Sequence, residues 1–136
     1  MSPHEVLHPA NWTPARGYAN GIAAEGRMVF TGGLIGWTAD QRFESDVFAE
    51  QAALALRNVV EVLACAGAKP EHLVRLTWYV TDKREYLGSL KELGAAYREI
   101  IGRHYPAMAL VQVVTLVEDR AKVEIEAIAV VPREAP

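Results

Sequence analysis

The last long apolar run of the chain, Tyr105 to Val131, reads YPAMALVQVVTLVEDRAKVEIEAIAVV. Two stretches of aliphatic and β-branched residues flank the polar turn Glu118-Asp119-Arg120, a pattern that predicts two strands closing as a hairpin. Outside the turn the run holds few ionisable or amide side chains: Gln112, Lys122, Glu124 and Glu126. A pocket built on these strands would take its polar groups from among them.

Counting faces adds a constraint on assembly. From Ala107 to Leu116 one side carries Met108, Leu110, Val114 and Leu116 with Gln112 as the exception, and the other carries Ala109, Val111, Val113 and Thr115. Both faces are therefore apolar. The two helices read below cover one face of such a sheet, so the other needs a further copy of the chain, and a homo-oligomer is expected.

With 136 residues, 51% of them apolar, the chain has material for a single domain, 1–136, with a substantial core. Charged residues make up 23% and the formal net charge is −3, which leaves no electrostatic footprint for nucleic acid or anionic lipid. The single cysteine, Cys65, excludes an internal disulfide, suits a reducing compartment and is expected to pack near a helix end. The opening MSPHEVLHPANW lacks the basic and apolar regions of a secretory signal, and no apolar span is long enough to cross a bilayer. A cytoplasmic protein with no membrane partner is the expectation. His4, His8, His72 and His104 are scattered without ligand spacing, and Thr31-Gly32-Gly33-Leu34-Ile35-Gly36 lacks the Lys-Ser/Thr of a phosphate loop. Neither a metal nor a cofactor is expected.

Residues 1–17, with Pro3, Pro9, Pro14 and Gly17, read as irregular with at most a short edge strand. Tyr18 to Ala24 and Arg27 to Gly32 read as short strands joined by a tight Glu25-Gly26 turn. The pair Gly32-Gly33 after the second run implies a bulge or a close approach of the backbone to a ligand or neighbouring chain. A helix is expected from Asp46 as N-cap to Gly67, with apolar residues around most of its circumference. His72 to Thr81 alternates as a strand, with Val74, Leu76, Trp78 and Val80 on one side. A second helix runs from an Asp82/Glu85 capping box to Gly102, its internal Gly88 and Gly94 pointing to close packing on the sheet.

The runs ARGYANGIAAEGRMVFTGGLIG, AGAKPEHLVRLTWYVTD, YPAMALVQV and VEIEAIAV, in that order and spacing, resemble the RidA/YjgF family of enamine and imine deaminases from about Pro14 to Val131. The resemblance implies an α+β, chorismate-mutase-like single domain, a mixed sheet with two helices on one face, assembled as a homotrimer with small-molecule ligands in clefts between subunits. Carried over by position, it implies Glu124 as the catalytic group that places water, with Tyr18, Thr31, Gly32, Gly33, Met108, Ala109 and Leu110 lining the substrate site. At the position where the family's pattern has a carboxylate-binding arginine this chain has Met108, and the serine that usually follows is Ala109. The family's usual asparagine in the second helix falls on Gly94.

A thioether cannot replace a bidentate guanidinium for a carboxylate. Either another arginine meets the anion, with Arg16 and Arg103 as candidates, or the substrate is apolar and rests against Met108, Leu110, Trp12 and Trp37. Each residue also has a plainer reading: Tyr18 and Thr31 as strand residues, Met108 as core or interface filler, Glu126 as structural. The function expected is a metal-free hydrolase of a reactive enamine or imine. The alternative is a non-catalytic small-molecule-binding trimer, and an endoribonuclease, a label some relatives carry, is the weakest reading for so acidic a chain.

Overall fold

The computed structural model describes residues 3–133. In chain order the elements are β1 (Glu5–Leu7), β2 (Gly21–Ala23), β3 (Arg27–Phe30), β4 (Leu34–Ile35), α1 (Phe48–Ala64), a 3-10 turn at Pro70–His72, β5 (Leu73–Val80), α2 (Lys83–Leu87), α3 (Leu90–Ile100), β6 (Ala107–Gln112) and β7 (Val123–Val131). The main sheet is mixed. β5 lies at its centre with β6 parallel on one side and β7 antiparallel on the other, and β3 and β4 both pair with β7. The helical crossover α2–α3 makes the parallel pairing possible, because parallel neighbours need a long connection. The α+β architecture expected from the sequence is present.

Two expected hairpins are not. β6 and β7 do not touch, because β5 runs between them and pairs along its length with both. β2 pairs with β1 and β3 with β7, so Glu25-Gly26 joins strands of different sheets. Gly26 is needed for another reason: at φ +145° a side chain is strained, and a Cβ would fall 2.1 Å from the Val131 carbonyl oxygen. β6 also ends at Gln112 rather than Leu116, where the Val113 N–H bonds to the Val80 carbonyl and the Gln112 Oε1 accepts from the Lys83 N–H at 2.8 Å. In β5 a bulge between Leu73 and Arg75 shifts the alternation, so Leu73 rather than Val74 joins Leu76, Trp78 and Val80 in the core.

The two faces of the sheet differ. Leu76, Trp78, Val80, Val123, Ile125, Ala127 and Ala129 point at the helices and are buried with Leu56, Val59 and Leu63 of α1 and Leu93 and Tyr97 of α3. Arg75, Thr77, Tyr79, Glu124, Glu126 and Ile128 point the other way, where no helix covers them. On this open face Met28 is 58% and Phe30 61% exposed.

α1 begins after Val47, whose backbone is extended, and it has no side-chain cap. Asp46 is not the N-cap because its carboxylate pairs with the Arg120 guanidinium at 3.0 Å. Only one stripe of α1 is buried, and Val47 and Val62 are exposed. Within that stripe Gln51 is the one polar residue, 1% exposed. Its amide donates to the carbonyls of Ser45 and Arg120, each at 3.0 Å, and its Oε1 accepts from the Lys122 N–H at 2.8 Å. It thereby fastens the start of β7 to the helix. Gln51→Ala leaves those backbone groups buried and unpartnered, and urea unfolding should show a loss of about 2 kcal/mol. Wild-type stability would refute this account of Gln51.

The second helical segment breaks at Gly88-Ser89, where the Ser89 hydroxyl turns back to the Glu85 carbonyl at 2.7 Å. Asp82 caps α2 by accepting from the Arg84 N–H at 2.9 Å, but Glu85 completes no capping box because it pairs with Lys122 at 2.8 Å. Cys65 is exposed rather than packed, its thiol directed at the Glu61 carbonyl. Among the described residues no helix is long and apolar enough to cross a membrane, and no group of three or more His, Cys, Asp or Glu side chains could hold a metal ion.

Candidate functional site

The apolar strand β6 and the aromatic inner side of α2–α3 enclose a cavity of about 520 Å³, within the size range of small-molecule sites. Ala19 is tied to the start of β6, pairing with Ala107 and bonding through its N–H to the Pro106 carbonyl at 2.9 Å. That link brings the neighbouring Tyr18 to Met108. Tyr18, Met108, Ala109 and Leu110 all line the cavity, so one half of the sequence-derived site is assembled within the chain.

The rest of the wall is aromatic. Tyr86 meets Trp78 edge-on, with ring centroids 6.3 Å apart, and Tyr97 stacks on Tyr105 at 5.3 Å and 11°. The indole N–H of Trp78 is buried with no protein acceptor among the described residues. The Tyr97 hydroxyl donates to the His104 carbonyl, and burial pushes its phenol well above the ordinary tyrosine range. A phenol with a raised folded-state pKa contributes stability below its unfolded pKa of about 10, and that contribution is lost as pH rises toward the folded value. Stability should therefore fall above about pH 10, and less so in Tyr97→Phe, as read by urea midpoints across the alkaline range. Identical alkaline profiles for the two proteins would count against it.

Two arginines complete the wall, Arg16 and Arg98. Arg16 was legible in the sequence as a neighbour of Tyr18. Arg98 was not, and Arg103, the other candidate, is not part of the wall. The local signal for Arg98 was Gly94, one helical turn earlier: a Cβ at Gly94 would lie 3.3 Å from the Arg98 Nη1 and near nothing else. The mid-helix glycine therefore makes room for a guanidinium rather than for the sheet, and Gly88 likewise does not meet the sheet. Trp12 and Trp37 do not line the cavity either. Trp12 is exposed, and Trp37 packs on Phe43 with centroids 5.7 Å apart.

The other half of the sequence-derived site lies on the opposite side of the sheet. Met108 is in register with the buried Leu76, whereas Glu124 is in register with Tyr79 on the open face. Glu124 is half-buried against Gly33, where an added Cβ would come 2.4 Å from its Oε2. The sequence implied a close approach to a ligand or a neighbouring chain at this glycine pair; within the chain, the group that approaches Gly33 is the Glu124 carboxylate. A Cβ at Gly32 would meet nothing within 4 Å. Thr31 serves the backbone: its hydroxyl donates to the Gly32 carbonyl at 2.8 Å and accepts from the Ala127 N–H at 3.0 Å. Glu126 accepts from the Tyr79 hydroxyl at 2.6 Å, a bond that raises the Tyr79 pKa.

Known proteins place this arrangement. The family described as Endoribonuclease L-PSP matches residues 9–131. A Salmonella typhimurium protein named 2-iminobutanoate/2-iminopropanoate deaminase is 33% identical over 116 residues, covering 83% of this chain and 86% of that one. Among solved structures, the Rid family protein YyfB of Yersinia pestis superposes with a TM-score of 0.83 at 26% identity, covering 94% of this chain and 98% of that one. Escherichia coli TdcF with bound serine does so at 0.65 and 32%, covering 93% and 98%. The chain belongs to the RidA/YjgF family, also described as Endoribonuclease L-PSP.

Proposed function

We propose that the protein is a metal-free hydrolase of a reactive enamine or imine, working in a cleft completed by a second copy of the chain. The observation that carries this reading is the split of the site: the cavity with Tyr18 and Met108 opens on one side of the sheet and Glu124 stands on the other. A single protomer cannot bring both to one substrate. A homotrimer in which the open face of one copy, where Met28 and Phe30 are exposed, meets the β6 edge of the next supplies the Glu124 of one copy to the cavity of its neighbour. The deaminase name of the Salmonella typhimurium relative and the serine bound to TdcF support a small, amino-acid-derived substrate.

In this mechanism an enamine first tautomerises to the imine. Glu124 orients a water and takes its proton as the oxygen attacks the imine carbon. That proton passes to nitrogen to give a carbinolamine, and transfer of the carbinolamine hydroxyl proton to nitrogen, relayed by Glu124, breaks the C–N bond and releases a carbonyl compound and ammonia. The Gly32-Gly33 backbone and the cavity wall hold the substrate in place. A non-catalytic ligand-binding trimer is the alternative, and the thioether of Met108 in the cavity wall favours it.

Imines generated by an amino-acid oxidase from several amino acids, aromatic ones included, separate the two. Accelerated decay of at least one imine is the expected result. No acceleration, with turnover appearing only in Met108→Arg, would leave the binding reading in place. Sedimentation equilibrium should give three times the 15.0 kDa chain mass. A monomer at micromolar concentration would overturn the shared site.

A further inference from the structure

The family pattern puts its carboxylate-binding arginine at the position of Met108, and this chain carries two arginines elsewhere in the same wall. We propose that the cavity takes a carboxylate with an aromatic or branched aliphatic body, and that Arg98, lying over Gly94, grips the carboxylate with Arg16 as the second cation. The inference rests on the reading of this cavity as the ligand half of the site.

Three observations carry it. First, no acidic side chain lines the cavity among the described residues, so the charge of its wall is wholly positive although the chain as a whole is acidic. Second, Arg16 and Arg98 are the cations that border the cavity, and neither forms an ion pair among the described residues. A guanidinium without a carboxylate, exposed at the rim of an aromatic wall, can meet an anionic ligand that enters the cavity. Third, Gly94 is a glycine inside α3, where it weakens the helix, and the group that a side chain there would meet is the Arg98 guanidinium. The helix thus leaves a seat for the cation on the cavity side. Tyr18, Tyr86, Trp78 and Met108 supply the apolar surface for the ligand body.

The reach of the fork also matters. An arginine on β6 would project from the floor of the cavity, whereas Arg98 projects from the helix opposite it. Moving the anion's anchor from floor to helix leaves the floor apolar, which turns the ligand body toward Met108 and Leu110. Larger side chains than those of the short imino acids then become acceptable.

The test uses the full chain and two probes of the same shape, 3-phenylpropionate and 3-phenylpropanamide, titrated calorimetrically at low salt. The wild type should bind the carboxylate on the order of tenfold more tightly than the amide, as befits a charged hydrogen bond. Arg98→Gln should remove most of that preference without weakening the amide, and Gly94→Ala should reduce it by displacing the guanidinium. Arg42→Gln, an exposed arginine outside the wall, is the control for net charge and should preserve it. Gly94→Ala raises helix propensity, so loss of folding does not confuse the result. Equal affinities in the wild type, no binding of either probe, or a preference that survives the Arg16→Gln/Arg98→Gln double variant would each overturn the proposal. Carboxylate preference without imine turnover would defeat the hydrolase reading alone, and turnover without the preference would defeat this inference alone.

Discussion

Replacing Glu124 by Gln is expected to slow imine hydrolysis by about 10²–10⁴-fold, the usual range for losing a positioned general base. The amide keeps the size of the side chain and its packing against Gly33, but it cannot accept the proton of the attacking water. Gly33→Ala provides the companion experiment. Its methyl would come 2.4 Å from the Glu124 Oε2 and 2.7 Å from the carboxyl carbon, so the side chain must swing away. The atoms displaced are the end of a flexible side chain, and the fold should tolerate the change at a cost of about 1 kcal/mol. Gly33→Ala should therefore lose activity comparably to Glu124→Gln while melting almost like the wild type. Full activity in Glu124→Gln would remove Glu124 from the chemistry. A loss in Glu124→Gln but not in Gly33→Ala would instead mean that the carboxylate works from another position.

How much of this could be read from sequence depended on whether a feature is local. The alternation Leu76, Trp78, Val80 and the spacing of Leu56, Val59 and Leu63 are periodic signals carried by the segment itself, and β5 and α1 stand where they were expected. Strand partners are set by distant chain. Nothing inside Tyr105 to Val131 announces that β5 will insert between its two strands. The same holds for Asp46, a good N-cap by local rules that is drawn to Arg120, 74 residues away.

The candidate site residues come together where motif and register agree. Tyr18 and Met108 were both named, and the Ala19–Ala107 bridge brings them together. That Glu124 and Met108 face opposite sides follows from register, which the sequence suggested only if pairing was known. Arg98 is not next to Tyr18 or His104 in the chain, and only the fold brings it to the cavity wall. The helical offset of four residues puts Gly94 and Arg98 on one face of α3, where a Cβ at Gly94 would lie 3.3 Å from the Arg98 Nη1.

Gly36→Ala is expected to cost about 3 kcal/mol in urea unfolding, well beyond Gly33→Ala. The added Cβ would lie 2.3 Å from the Gln51 carbonyl oxygen and 2.6 Å from its Cα, atoms of the α1 backbone that cannot rotate away. Nor can the strand retreat. The Asn58 amide holds the carbonyls of Ile35 and Trp37 on either side of Gly36, each at 3.0 Å, and Ile35 is paired with Glu124. The clash must be relieved by lifting α1 or by shifting β4, and either route has a functional signature. Lifting α1 strains the three hydrogen bonds of Gln51 and loosens the start of β7. Shifting β4 disturbs the pairing that places Glu124. Gly36→Ala should accordingly lose stability and turnover together, in contrast to Gly33→Ala, where turnover falls alone. Wild-type melting of Gly36→Ala would show that the β4–α1 contact has slack, and the account of how the scaffold holds Glu124 would have to be abandoned.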